Sequence, residues 1–553
     1  MSYLLIILSA CLLNTANYFP SLYLFSWIGF LPLFFVFEQS LATRQKLRLS
    51  SREKDLLSLF FDMKSYISNN RIFFKGWVFG LFYTALSAKF IYHSIYLYTN
   101  LNFFIIFMIL LLLFSLLALI YAVFFKLYFL AFAELKPLYF SAAWLIFAFL
   151  RYKLLHFFTI GHLAESQAEF LRFIQLADLG GIWLLTFLLV LVNSLFYQIL
   201  FKRKGKYLYI TALLLFFLLI FSYGEYALLK YQSPSPLVME NQADSAANTL
   251  VDSGTFLPQF LSQYITPVIT EEAELGIITT DIPQQEKWRS NNINSNTEKT
   301  LAAAAELQQS RVIFAPETNI TFDITQDSRR EEFLEQTAAH FDVPLQIGSM
   351  AVKEEAQGKY NSSFLISSSG EIIARYDKNR LVYFGEIFPF ENILSEITFN
   401  HYSFNSLKAG EQIKIFRAEN LSWKTMICSE ILYTDFAVQK IGETDFIVNQ
   451  TNEGWYRDDR VLKNMMWNNA VLRAVEIRRS VIKTGNQAHD GLIYPSGRYL
   501  KTADNQLYHN LRVDLNNKIT FYSRYYSYFE WFLLILSGVF IIFTVLKIYS
   551  TKL

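Results

Sequence analysis

The sequence predicts two structural classes in one chain: an α-helical membrane bundle of about eight spans, and an α/β domain of mixed sheets and helices. Three observations predict this. Apolar stretches of about 20 residues, long enough to cross a bilayer core, recur before residue 230 and once more near the end. The composition is 53% apolar and only 17% charged, against about 25% charged in a soluble domain. Beyond residue 273 the pattern turns to short strand-like runs alternating with amphipathic helical ones. At 553 residues the chain also exceeds what one hydrophobic core organises.

The apolar stretches lie near 3–19, 21–38, 71–94, 101–133, 137–157, 177–201, 207–229 and 528–548. Pro20 separates the first pair, because it has no N–H to continue a helix. Leu8, Ser9, Ala10 and Cys11 resemble a lipoprotein cleavage box, but no basic segment precedes them, so Cys11 is read as a small apolar filler. Arg44, Lys46, Arg48, Arg52, Lys54 and Lys64 follow the second stretch, and Lys202, Arg203, Lys204 and Lys206 follow the sixth. Short loops rich in Lys and Arg stay cytoplasmic. Four crossings separate the two loops, so one topology satisfies both, placing the segment from about 231 to 527 on the outer side.

The expected organisation is a bundle of about seven helices over 1–230, a linker over 231–273, an α/β domain over 274–527 and a last span over 528–553. Ser233, Pro234, Ser235 and Pro236 open the linker. Strands are expected at Leu275–Ile278, Arg311–Phe314, Leu345–Ile347, Phe364–Ile366, Ile372–Arg375, Trp423–Ile427, Phe446–Asn449, Val481–Lys483 and Leu492–Tyr494. Helices are expected over 291–309, 328–340 and 459–478, and Ser367 to Gly370 reads as a hairpin turn. The net charge of +2, with no basic stripe, gives no footprint for nucleic acid. Cys11 and Cys428 are the two cysteines, too far apart in context to suggest a disulfide, so Cys428 reads as a free thiol.

Cys428 closes the strand-like run Lys424 to Ile427, where a rigid strand meets an accessible loop. A thiol with an ordinary pKa of about 8.5 needs a base or a nearby cation to react at neutral pH. The histidines offer no obvious partner: His340 falls in a helix, His401 in a polar loop, and a dyad through His489 lacks a local pattern. Carboxylates therefore come into view. Glu317 follows a strand in Ala315-Pro316-Glu317-Thr318, and Lys378 follows another in Arg375-Tyr376-Asp377-Lys378, with Glu386 eight residues on. Each singly reads as a surface charge; the ordered set does not.

These segments resemble the nitrilase superfamily, whose members use Glu, Lys and Cys in that chain order, and within it the bacterial apolipoprotein N-acyltransferase family. The matching stretches are Ile282-Pro283-Gln284 with Lys287-Trp288, Pro316-Glu317-Thr318, Tyr376 to Lys378 through Leu381-Val382 to Phe384-Gly385-Glu386, Ile427-Cys428 with Glu430, Asn452 with Trp455, and Arg473-Ala474 with Glu476 and Arg479. The resemblance implies a nitrilase-like αββα sandwich anchored in the bacterial inner membrane with its catalytic face periplasmic. It implies a cysteine nucleophile at Cys428, a general base at Glu317, a stabilising cation at Lys378 and supporting residues Glu386, Glu430, Trp288 and Ser429. Asn361, Phe384, Phe388 and Trp455 would contact substrate. The implied partners are a phospholipid acyl donor, a diacylglyceryl-modified apolipoprotein acceptor and membrane lipid; the protein would act as a monomer with no cofactor and no metal. Ser429 departs from the family, which commonly has tyrosine after the nucleophile. Phe384, Ile387, Phe388 and Phe390 read equally as acyl-chain contacts or as loop packing. Two rival functions use the same residues: a membrane-anchored amide hydrolase, and a non-catalytic lipid-binding scaffold.

Overall fold

A computed structural model describes residues 1–50, 58–99, 101–132, 135–155, 159–202, 205–234, 265–353, 358–383, 385–387, 406–457, 459–502 and 506–550. The chain divides into two compact units, one of Met1–Tyr223 with Tyr525–Leu553 and the other of Gly224–Arg524. The boundaries fall inside the helices Lys206–Lys230 and Phe521–Ser550.

The first unit is helical. Five helical stretches are long and apolar enough to cross a membrane: Pro20–Ser40, Phe103–Leu130, Ala177–Phe201, Lys206–Lys230 and Phe521–Lys547. Five of the eight expected spans meet this length and hydropathy among the described residues; the other three regions are helical as Ser2–Tyr18, Ser58–Ser87 with Ile91–Thr99, and Pro137–Leu154. The first has 17 residues, and Pro137–Leu154 ends on Arg151 and Lys153. Arg151 is buried and donates to the carbonyls of Ile160 and Gly161 at 2.8 and 3.2 Å, so it lowers the helix's hydropathy while remaining satisfied. Gly76 and Gly80 bring Ser58–Ser87 close to Phe103–Ala131: a Cβ at Gly80 would stand 3.0 Å from the Ala118 Cα, the close approach that small residues permit between membrane helices. Phe103, Phe104, Leu112 and Leu116 are exposed on the latter helix, as a lipid-facing surface requires. Cys11 is exposed on its helix rather than packed as filler.

The second unit is an α/β sandwich of two six-stranded sheets. The first has the order β12-β1-β2-β3-β4-β5 and the second β11-β10-β9-β8-β7-β6. The strands are β1 Glu271–Ile278, β2 Ile313–Phe314, β3 Leu345–Lys353, β4 Gly358–Ile366, β5 Ile372–Asp377, β6 Ile415–Ala418, β7 Leu421–Ile427, β8 Phe446–Asn452, β9 Ser480–Asn486, β10 Gly491–Ile493, β11 Tyr499–Lys501 and β12 Tyr508–Leu515. The parallel set β1-β2-β3 in one sheet is mirrored by β7-β8-β9 in the other, with antiparallel strands outside them. β1 starts at Glu271, inside the span expected to be linker; residues 235–264 of that span lie outside the described residues.

Side chains alternate across a strand, and the alternation here separates two interiors. Ile313, Ala315, Leu345, Ile347 and Phe364 face a core with Ala303, Ala304 and Phe333 from the helices Ile293–Ala305 and Arg330–His340. Phe314, between Ile313 and Ala315, points the other way and meets Trp423 and Phe446 of the second sheet edge-on, at 5.5 and 6.0 Å. That inter-sheet layer is partly polar. Trp423 Nε1 donates to Gln346 Oε1 at 2.6 Å, and Gln346 Nε2 reaches Ser363 Oγ, Thr425 Oγ1 and Gln450 Oε1 at 2.8, 2.7 and 3.1 Å. Gln450 Nε2 in turn donates to the Ala315 carbonyl at 2.6 Å, two residues before Glu317.

Gly348 in β3 admits the segment carrying Glu317. A Cβ there would lie 2.4 Å from the Thr318 nitrogen and 2.6 Å from the Pro316 carbonyl oxygen, atoms of main chain that cannot swing aside. Gly348→Ala is expected to lower stability by about 1–3 kcal/mol, the cost of overpacking a close-packed site, read as a reduced melting temperature in detergent. Wild-type melting would contradict this packing.

Candidate active site

Three strand ends supply the chemistry. Ala315 N–H donates to the Gln346 carbonyl at 2.8 Å, which carries the β2 line onward to Pro316 and Glu317. Thr318 then adopts a φ of 46°, a left-handed conformation that costs a β-branched residue energy. Lys378 follows β5; its N–H donates to the Asn361 carbonyl at 2.9 Å, and its own carbonyl accepts from Gly410 N–H at 2.8 Å. Cys428 follows β7 at the head of the 3₁₀ turn Cys428–Leu432, with a φ of 48°. Its carbonyl accepts from Asn449 Nδ2 at 3.1 Å. Strain at both the carboxylate and thiol corners is the pattern of a site fixed by its surroundings.

The Lys378 ammonium, 1% exposed, lies 2.8 Å from Glu386 Oε1 and 3.6 Å from Glu317 Oε1. Asn361 Nδ2 bridges the same two carboxylates, at 2.6 Å to Glu317 and 2.9 Å to Glu386. The second Glu386 oxygen accepts from Val382 N–H at 2.8 Å. Glu386 is thereby held by its own loop and aims Lys378 toward Glu317. Glu317 Oε2 is buried and has no hydrogen-bond partner, leaving one carboxylate oxygen free to exchange a proton.

Burial pushes the Glu317 carboxyl above the ordinary range, with Lys378 opposing. Burial would depress Lys378, yet Glu386 and Glu317 outweigh it and hold the ammonium well above its usual pKa. Burial, reinforced by Glu317, pushes the Cys428 thiol up to about 12. Cys428 therefore rests as a thiol. Lys378 is the cation that favours the thiolate.

Glu430 is fully buried. Its carboxylate accepts from Tyr376 OH at 2.8 and 2.9 Å, from Asn379 and Arg380 N–H at 2.7 and 3.1 Å, and from Ile427 N–H at 2.7 Å. It joins the Lys378 corner to the Cys428 corner.

Sequence reasoning named Glu317, Lys378, Glu386 and Asn361, and the structure brings them into mutual contact. Asn361, expected on the substrate, donates to two carboxylates. Ser429 Oγ is buried without a partner, and Trp455 is half-buried in the turn Glu453–Tyr456 after β8. Trp288 is 40% exposed; its neighbour Lys287 reaches the site, donating to the Glu317 carbonyl and Thr318 Oγ1, each at 3.1 Å. Phe384 and Phe388 lie outside the described residues, as does Phe390. His489 is no base: burial, then Lys501 and other cations, lowers it to about 2. Sequence reasoning missed Lys287 and Tyr456. Tyr456 has a buried phenol whose pKa rises by burial and by the Cys428 thiol. Lys287 lies in a matching stretch, Lys287-Trp288, but carried no role there, since its contacts come from across the fold.

Two outcomes follow from this geometry. Glu430→Gln replaces an acceptor oxygen by a donor facing buried N–H groups, and is expected to cost about 1–3 kcal/mol, measured as a lowered melting temperature. In a Cys11→Ala background, alkylation of Cys428 by iodoacetamide should accelerate about tenfold per unit from about pH 7 to about 9, because the thiolate fraction grows so far below the pKa. A rate already flat at neutral pH would mean a preformed thiolate.

Residues 56–195 match the profile of the apolipoprotein N-acyltransferase N-terminal domain, and residues 279–486 match that of the carbon-nitrogen hydrolases. An apolipoprotein N-acyltransferase from Allorhizobium ampelinum is 31% identical over 198 residues, 34% of this chain and 36% of that relative. One from Aquifex aeolicus is 29% identical over 195 residues, 35% of this chain and 42% of the relative. One from Geobacter metallireducens is 24% identical over 388 residues, 67% of this chain and 66% of the relative. The match thus spans less than half the length of the first two. Among solved structures, Nit3 of Saccharomyces cerevisiae, a nitrilase-superfamily member, aligns over 45% of this chain and 92% of its own with a TM-score of 0.34 and 13% identity. An amidase from Nesterenkonia sp. aligns over 45% and 94%, with a TM-score of 0.32 and 12% identity. In sequence, the helical part and the α/β part both point the same way: the chain is similar to bacterial apolipoprotein N-acyltransferases of the carbon-nitrogen hydrolase superfamily.

Proposed function

We propose that this protein is an apolipoprotein N-acyltransferase that moves a fatty acyl chain from a phospholipid, through a thioester on Cys428, to the N-terminal amine of a diacylglyceryl-cysteine on a lipoprotein. The carrying observation is the buried Glu317–Lys378–Glu386 constellation, whose charges act on the thiol of a strained strand-end cysteine. Its likeness to named relatives supports the same reading.

In the first half-reaction the Cys428 sulfur attacks the ester carbonyl of the phospholipid while its proton passes to Glu317. The Lys378 ammonium and the Ser429 N–H, at the open start of a 3₁₀ turn, take the oxyanion. Collapse expels the lysophospholipid alkoxide, which recovers the proton from Glu317. In the second, the acceptor amine attacks the thioester and gives its proton to Glu317, and collapse returns the Cys428 thiol with an amide formed. Neither half-reaction needs a metal or cofactor. Both substrates hold their chains in a bilayer, and withdrawing a chain costs roughly 0.8 kcal/mol per CH₂; membrane-crossing helices keep the enzyme where the chains are. The basic loops support an orientation with the α/β unit on the outer side, and the family likeness supports an inner-membrane protein with that unit periplasmic, acting as a monomer.

Intact-protein mass spectrometry after incubation with phospholipid, before and after addition of a diacylglyceryl-cysteine peptide, tests this. The wild type is expected to gain a fatty-acyl adduct that transfers to the peptide amine, and Cys428→Ala to lose turnover by about a thousandfold or more. An adduct discharged only to water would make the protein a hydrolase, and no adduct would make it a scaffold.

A further inference from the structure

Four lysines in the α/β unit are essentially removed from water, and three have evident partners. Lys378 faces Glu386 and Glu317, Lys483 pairs with Glu453 at 2.6 Å, and Lys424 donates to main-chain carbonyls at the end of the helix Thr434–Val438, among them that of Gln439 at 3.0 Å. Lys287, 1% exposed, has no such use. It closes the short helix Gln284–Lys287, remote in sequence from every strand end of the site.

Its partners are specific. The Nζ donates at 3.1 Å to the main-chain carbonyl of Glu317 and at 3.1 Å to Thr318 Oγ1. Both acceptors belong to the turn that aims Glu317. Between them the turn passes through the left-handed φ of Thr318, a conformation that persists only where its surroundings over-determine it.

We infer that Lys287 is a positioning residue for Glu317, its Nζ bracing the strained Glu317–Thr318 turn so that the Glu317 carboxylate keeps its place beside Lys378 and Asn361. The inference rests on the assignment of Glu317 as the proton-transfer group. Burial brings the Lys287 pKa down to about 7, with Glu317 opposing, and either protonation state keeps the two donors that the turn accepts. The group touches neither substrate nor sulfur; it acts through Glu317.

The test is a double-mutant cycle on the rate of acyl-thioester formation at Cys428, with phospholipid as donor and full-length protein in detergent. Lys287→Met, which keeps chain length and loses the donors, is expected to slow acylation about tenfold or more when Glu317 is present and less than about twofold in a Glu317→Gln background. Equal slowing in both backgrounds would overturn the inference, since Lys287 would then act independently of Glu317. If Lys287→Met does not fold, Thr318→Val removes one acceptor isosterically and carries the same cycle, with the same two outcomes. Should Glu317→Gln alone acylate at the wild-type rate, the assignment of Glu317 fails, an outcome separate from additivity.

Discussion

The Glu430 carboxylate accepts main-chain N–H groups of Asn379 and Arg380 on one side and of Ile427 on the other, with the Tyr376 hydroxyl between them. These donors lie at or just beyond the ends of β5, an edge strand of the first sheet, and β7, next to the edge strand of the second, which share no ladder. A buried carboxylate costs several kcal/mol in lost hydration, and hydrogen bonds to a charged group return about 1.5–3 kcal/mol each. With every donor supplied the clamp is tolerable, and with one missing the penalty stands alone. The Glu430 clamp therefore helps to fix the separation between Lys378 and Cys428.

Glu317 is held by different means. The polar layer of Gln346, Ser363, Thr425 and Gln450 crosses between the sheets and ends on the Ala315 carbonyl. Polar groups in such a layer satisfy one another only in one register, so sliding one sheet over the other would break several bonds at once. An apolar layer of equal volume would tolerate small shifts. The three strand ends thus meet through two polar linkages, Glu430 on one side and the glutamine layer on the other.

Much of this was legible in the residues. Strand-end placement of Glu317, Lys378 and Cys428 follows from local hydrophobic runs, and the alternation of Ile313, Phe314 and Ala315 gives their facing. The missing strands were β6, β11 and β12. β6 and β11 have four and three residues, too few for a period, and β12 reads Tyr-His-Asn-Leu-Arg-Val-Asp-Leu, whose polar positions hide its pairing with a strand more than 200 residues earlier. The contacts of Asn361 could not be read because an isolated asparagine carries no sign that two carboxylates will flank it. Lys287 stood in a matching stretch without a role for the same reason: its acceptors, a carbonyl and a hydroxyl, lie about 30 residues further along the chain. In the helical unit, the eight apolar runs were found as helices, but Arg151 and Lys153 show that helical length and membrane-crossing hydropathy are separate properties.

The pairing of β1 with β12 sets an order on synthesis. β1 is the first strand of its sheet to leave the ribosome and β12 the last, with Glu271 opposite Leu515. Throughout the intervening translation, one edge of β1 presents main-chain donors and acceptors with no strand to meet them, an invitation to mispairing. At roughly 5–20 residues per second, that edge stays open for some tens of seconds, after the preceding helices have been made. The α/β unit closes only as the helix Phe521–Ser550 is about to follow, so insertion of that last apolar segment and completion of the sheet fall within moments of each other.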